Sequence, residues 1–131
     1  MGRPTPFLAT SWEVDPEGKF ITMHLREGVK FHDGTDFNAE AVKWNVDTRM
    51  EYAPWGLEYV ESIDVIDEYT VRFNTYYFSN LFWTEMAYVA GMIASPAAAA
   101  KEVPEAEVPY AHMVGTGPFK FKVWERDVFI E

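Results

Sequence analysis

Three histidines, His24, His32 and His112, and twenty-one carboxylates are the side chains of this 131-residue sequence best suited to ligate a metal or move a proton. Their spacing does not gather them. No histidine has a partner one helical turn away, and the chain has no cysteine to supply a thiolate. The densest combination is His32-Asp33 with Asp36. An aspartate beside a glycine has a backbone reason to be there, because its carboxylate accepts from amides two residues on. His24 falls on the strand face opposite the apolar one and reads as an exposed or half-buried pair member. A carboxylate pair for glycosidase-type acid–base work can be drawn from so many acids almost at will, which empties any such pair of meaning. No serine stands in a nucleophile elbow. The segment Gly115-Thr116-Gly117-Pro118-Phe119 is the nearest approach to a glycine-rich loop. No Lys-Ser/Thr follows it and it feeds a strand instead of a helix, so it reads as a sharp strand entry and not as a phosphate cradle. An enzyme, a metal site and a cofactor are not expected.

The aromatic residues carry more information. Tyr52, Trp55 and Tyr59 surround a loop, and Tyr76, Tyr77, Phe78, Phe82, Trp83 and Tyr88 cluster around a helix start. Aromatic rings line ligand pockets because they offer rigid apolar area beside a few polar groups. They also fill cores, and for any one ring taken alone the core is the commoner fate.

The elements that must position these side chains follow from pattern and punctuation. Leu8, Thr10, Trp12 and Val14 alternate with Ala9, Ser11 and Glu13. After the turn Asp15-Pro16-Glu17-Gly18, Ile21, Met23 and Leu25 alternate with Thr22, His24 and Arg26, which predicts a hairpin. Val29 and Phe31 alternate between Gly28 and Asp33-Gly34. Asn38 then stands as an N-cap, with Phe37 and Val42 placed as a hydrophobic staple. Ala39, Val42, Val46 and Met50 recur at helical spacing, predicting a helix over about 39–50 with Trp44 off its buried stripe. Pro54 and Gly56 mark a loop. Two further strands, Tyr59 to Ile66 and Tyr69 to Tyr76, flank Asp67-Glu68. Ser79-Asn80 begins a short helix, and Tyr88 to Ala94 reads as a buried strand. Ser95-Pro96 caps a helix of about two turns through the alanines and Lys101. Val103 to Met113 is irregular, Phe119 to Trp124 is a last strand, and Val128 to Glu131 begins its partner.

Composition bounds the class. A hydrophobic share of 48% with five Trp, seven Tyr and ten Phe argues for a packed core. The formal net charge of −10 disfavours nucleic acid, whose phosphates call for a basic surface. The best apolar run, Val89 to Ala100, is too short for a membrane span and is broken by Pro96. A soluble globular domain of α+β class is expected: one mixed or antiparallel sheet of five or six strands with two or three short helices. Met1-Gly2-Arg3-Pro4 has no apolar stretch behind it like that of a secretory signal, and the end, Val128-Phe129-Ile130-Glu131, stops in a strand-like run. Residues 1–131 are therefore expected to be a single domain that forms a fragment of something longer.

The runs LATSWEV, MHLREGVKFHDGTDFNAEAVKWN, IDVIDEYTVRF, ASP and VGTGPFKFKVWERD follow one another in an order that resembles the peptide/nickel-type extracellular solute-binding proteins of ABC importers. The likeness spans nearly the whole chain, and Leu25 to Trp44 with the VGTGPF segment are its specific parts. The resemblance implies part of a periplasmic-binding-protein type II-like fold. It matches one stretch of the first lobe, the smaller subdomain, of a protein that closes two lobes around its ligand. It implies capture of an oligopeptide, dipeptide or similar small solute outside the cytoplasmic membrane, and delivery to a membrane permease. The setting is periplasmic or that of a cell-surface lipoprotein. With the second lobe absent, the fragment alone is expected to bind weakly or not at all. By the same resemblance the loop after the first helix and the region before GTGPF approach the ligand. That nominates Trp55 and Tyr59, and with them Trp83 and Met113. The alternative is a protein-interaction module that associates with a partner chain or with itself through exposed aromatics and an unpaired edge strand.

Overall fold

Asp15-Pro16-Glu17-Gly18 turns the chain on itself: the Gly18 amide donates to the Asp15 carbonyl at 2.8 Å, and the Asp15 carboxylate accepts from the Lys19 amide at 3.0 Å. Gly18 closes the turn at φ +70°, a conformation that costs glycine little. The computed structural model of the chain describes residues 4–88, 90–102, 112–125 and 129–130. The strands on either side of this turn are β1 (Ala9–Val14) and β2 (Phe20–Leu25). A second hairpin supplies β3 (Val60–Asp67) and β4 (Thr70–Thr75). The four form one antiparallel sheet in the order β1-β2-β4-β3.

Register explains which face is buried. Met23 pairs with Val71, Ile21 with Phe73, and Ile63 with Phe73, so these apolar residues share one face. All five are buried. The opposite face carries Thr22, Arg72, Asp64, Ser62 and Asn74, and there the Arg72 guanidinium lies over the Phe20 ring, 4.7 Å from its centroid. A bulge between Ala9 and Ser11 breaks the alternation expected for β1; beyond it Trp12 pairs with Met23 and Val14 with Ile21, and Val14, at the end of this edge strand, is 40% exposed.

Helix α1 (Ala39–Tyr52) covers the apolar face with Ala39, Ala41, Val42 and Val46. It starts where expected: the Asn38 side chain accepts from the Ala41 amide at 3.0 Å. Trp44 lies off the buried stripe and is 38% exposed. Burying an aliphatic or aromatic side chain fully is worth about 1.5–3 kcal/mol, so this face is the main stabilising layer. After β4 comes α2 (Leu81–Met86), whose Phe82 is wholly buried.

Two compact units divide the chain. The elements above belong to residues 1–27 with 38–92, and the second unit comprises 28–37 with 93–131. The second unit contains the one-turn α3 (Pro96–Ala99), capped by Ser95, and a small hairpin of β5 (Trp124–Glu125) and β6 (Phe129–Ile130).

Four expectations need correction. The strands do not form one sheet of five or six; among the described residues the main sheet has four, and β5 and β6 pair with each other. Tyr88 to Ala94 is not a buried strand. The amides of Tyr88 and Ala90 both bond to the Glu85 carbonyl, at 3.0 and 3.1 Å, so the donors a strand would use are consumed by the end of α2. Tyr88 and Met92 are exposed as a result. The last strand is shorter than expected, with Phe119 to Val123 irregular and the ladder starting at Trp124. The alanine helix stops after one turn, since good propensity alone does not extend so short a helix. The expected irregular stretch falls, over 103–111, outside the described residues.

Candidate functional site

The end of α1 and the start of β3 are joined by Ala53 to Tyr59, and this loop builds the most chemically loaded place in the first unit. Gly56 holds φ +79°, which lets the chain reverse so that the Leu57 amide meets the Pro54 carbonyl at 2.9 Å. Leu57 and Tyr59 are then carried inward, with Leu57 at 1% exposure. The Glu58 carboxylate turns back and accepts from the Gly56 amide at 2.9 Å. Glu85 approaches Gly56 from α2: a Cβ on Gly56 would meet the Glu85 Oε2 at 2.5 Å. The missing side chain of Gly56 is what makes room for that carboxylate.

Aromatic rings link this loop to the sheet through Phe82. The Phe82 ring meets Phe73 edge-on at 5.1 Å, Trp83 at 5.1 Å and Tyr59 at 6.3 Å. Trp83 also packs on Trp12 of β1 at 5.5 Å, and Tyr59 faces Tyr77 at 6.3 Å. Contacts of this kind add to stability beyond the area they bury.

Tyr59 is the electrostatic oddity. It is 4% exposed, and among the described residues its buried hydroxyl has no hydrogen-bond partner. Burial, with the negative charges of Glu85 and Glu58 and the neighbouring Tyr77, pushes the phenol up to about 12. Each of these disfavours a phenolate. Among the described residues, neither Glu58 nor Glu85 is in a salt bridge.

Of the four residues nominated from sequence, the structure places three in this unit. Trp55 is 77% exposed in the loop, Tyr59 is buried four positions later, and Trp83 is half-buried between Trp12 and Phe82. Tyr59 and Trp83 are brought together on the same Phe82 ring. Met113 belongs to the second unit and is 56% exposed there. Sequence reasoning marked Gly56 only as a loop residue and passed over Glu58 and Glu85. Glu58 had only its adjacency to Tyr59 to mark it, and the approach of Glu85 to Gly56 depends on how α2 returns to the loop.

In the second unit His32, Asp33 and the glycine segment serve structure. Asp33 Oδ1 accepts from the Thr35 amide at 3.0 Å and the Thr35 hydroxyl at 2.6 Å, and Oδ2 accepts from the Ser95 hydroxyl at 2.5 Å. Ser95 Oγ in turn accepts from the Ala98 amide at 3.1 Å, capping α3. The slight burial of Asp33 acts to raise its pKa, but the bonds from Ser95 and Thr35, with the charge of Lys101, outweigh it and hold the carboxyl at about 2. The Ser95 amide bonds the Val114 carbonyl, and the His32 amide bonds the Gly115 carbonyl. His32 Nε2 lies 2.7 Å from the Gly117 carbonyl and donates to it. The Asp33 turn, the α3 cap and the glycine segment are thus one hydrogen-bonded network. Among the described residues no group of three His, Asp or Glu side chains is placed to hold a metal ion.

The model for bacterial extracellular solute-binding proteins, family 5, matches residues 3–131. The glutathione-binding protein GsiB of Escherichia coli K12 is 36% identical over 129 residues, which is 95% of this chain and 25% of that protein. Among solved structures, the binding protein AgaA of A. tumefaciens R10, in complex with agropinic acid, is 35% identical with a TM-score of 0.80, over 93% of this chain and 25% of its own. The oligopeptide-binding protein AppA of Bacillus subtilis, in complex with a nonapeptide, is 25% identical with a TM-score of 0.79, over 95% and 26%. The chain therefore spans about a quarter of the length of the relatives it matches.

Proposed function

The chain belongs to family 5 of the bacterial extracellular solute-binding proteins, and from that premise we propose that it is part of the substrate-binding component of an ABC importer. The observation that carries the proposal is the family match over residues 3–131. The family is one of binding proteins, and the chain is not an enzyme. The rest of the reading concerns the longer protein: two lobes, of which this chain supplies a subdomain of the first, closing over a small solute outside the cytoplasmic membrane and passing it to a permease. Periplasm or a lipid-anchored position at the cell surface both suit that task.

The solute is a peptide or a similarly small amino-acid derivative. The relatives support that class, being named for glutathione or solved with agropinic acid or a nonapeptide. On this chain Trp55, Tyr59, Trp83 and Met113 are the residues that face it. Trp55 offers an exposed ring, and Tyr59 a hydroxyl with no partner among the described residues. Native mass spectrometry of the protein translated from the uninterrupted gene, mixed with glutathione, di- to nonapeptides and opines, tests the reading. A one-to-one complex with at least one of these solutes is expected, and no complex with any overturns it.

A further inference from the structure

Met113 stands at the apex of a three-residue turn in the second unit. The Val114 amide donates to the His112 carbonyl at 2.8 Å, closing the turn around a side chain left 56% exposed. The backbone on both sides is fastened. His112 Nε2 lies 3.3 Å from the Lys101 carbonyl and donates to it, and the Val114 carbonyl accepts from the Ser95 amide at 2.8 Å. Beyond the turn, the Gly115 carbonyl accepts from the His32 amide at 2.9 Å, and the Gly117 carbonyl from His32 Nε2 at 2.7 Å. Lys120 Nζ completes the return by donating to the His32 carbonyl at 3.1 Å. The Ser95 hydroxyl donates to Asp33, the neighbour of His32, at 2.5 Å, so the segments around 32, 95 and 115 hold one another. His32 contributes its amide, its carbonyl and its ring to this arrangement. A carbonyl only accepts, so Nε2 carries the ring proton. Nδ1 is buried with no partner among the described residues, which leaves the Gly117 bond as the one that orients the ring.

We propose that His32 is a positioning residue for the solute: through the Gly115 and Gly117 carbonyls it sets the Met113 turn, whose thioether meets an apolar part of the solute. An exposed methionine is ordinary by itself. One at the apex of a turn bonded on both flanks is a contact group held out in one place. A loop placed by fixed neighbours is where binding residues are commonly carried. A turn ordered before the solute arrives spares the entropy of ordering it on binding. The thioether is polarizable and adapts to apolar shapes, so it suits an aliphatic or aromatic part of the solute and not a charged one. The proposal rests on the solute-binding reading and deepens it.

The test uses the protein translated from the uninterrupted gene, labelled at its methionine methyl groups for nuclear magnetic resonance. The probe is the same set of glutathione, di- to nonapeptides and opines, and Met113→Leu identifies the Met113 signal. That signal is expected to shift with at least one of these solutes and to show nuclear Overhauser contacts to the solute's aliphatic or aromatic protons. His32→Leu should displace the Met113 signal before any solute is added and weaken binding of that solute roughly fivefold in calorimetry. His32→Gln restores an N–H near the place of Nε2 and should recover both the signal and most of the affinity. A role in folding alone would lower the melting temperature and leave the Met113 signal and the affinity as in the parent. Met113→Ala, with far-UV circular dichroism matching the parent, should weaken binding by a similar factor and decides the matter if His32→Leu does not fold. A Met113 signal that stays still while other signals respond overturns the proposal, as does parent-like affinity in Met113→Ala or in folded His32→Leu. No response of any signal to any of the solutes removes the solute-binding reading itself, and the role of His32 falls with it.

Discussion

Burying a hydroxyl without a partner costs about 1–3 kcal/mol, and Tyr59 has no partner among the described residues. Tyr59→Phe should therefore leave stability unchanged or raise it by about 1 kcal/mol in urea unfolding at neutral pH, and a loss greater than about 1 kcal/mol would mean the hydroxyl is bonded after all. The same residue gives an alkaline signature. Its folded pKa lies above the ordinary 10, so the proton is held more tightly folded than unfolded. That contribution is complete below pH 10 and is lost as pH rises through about 12, and Tyr59→Phe should lose less stability over this window. Asp33 has the opposite sign. Its carboxyl sits at about 2 against an ordinary 3.8, so its contribution is present above 3.8 and lost as pH falls through 2. Ser95→Ala removes a donor to Asp33 and should flatten that acid limb in unfolding followed between pH 4 and 2. From sequence alone, Tyr59 was visible as an aromatic beside a loop. Its orphan hydroxyl was not, because bonding is decided by residues far along the chain.

Local elements were legible where chain chemistry and tertiary packing agree. The period-two runs became the two hairpins, and Asn38 caps α1 as its type and position indicated. Asn38→Ala should cost about 1 kcal/mol, read as a lower urea midpoint with an unchanged slope; no change would show that the cap is idle. What could not be read was element length and partner choice. Tyr88 to Ala94 has the apolar content of a strand, yet its amides close on the Glu85 carbonyl. The Asp33–Ser95 bond joins positions sixty-two residues apart, and no local pattern announces it.

For the whole molecule, the two edge strands of the main sheet bear on self-association. Edge β3 is interrupted by irregularities at Val60/Ser62 and Val65/Asp67 and carries Glu61, Asp64 and Asp67; edge β1 is bulged at Ala9/Ser11. Bulges and charges of this kind blunt edge-to-edge pairing. A net charge of −10 adds repulsion between copies. Light scattering should give the mass of a monomer, 15.1 kDa, and a stable dimer would revive the interaction-module alternative. Family membership was readable from the sequence because the matching runs span nearly all of it, whereas the solute was not, since most of the relatives' length lies outside this chain. On the proposed reading the ligand is gripped between two lobes and mostly enclosed, and one wall cannot do that. The most direct measurement is calorimetry with one solute found to bind the longer protein, titrated in parallel into that protein and into residues 1–131. Clear heat of binding is expected for the longer protein and none at micromolar solute for the chain alone; micromolar binding by the chain alone would overturn the two-lobed reading.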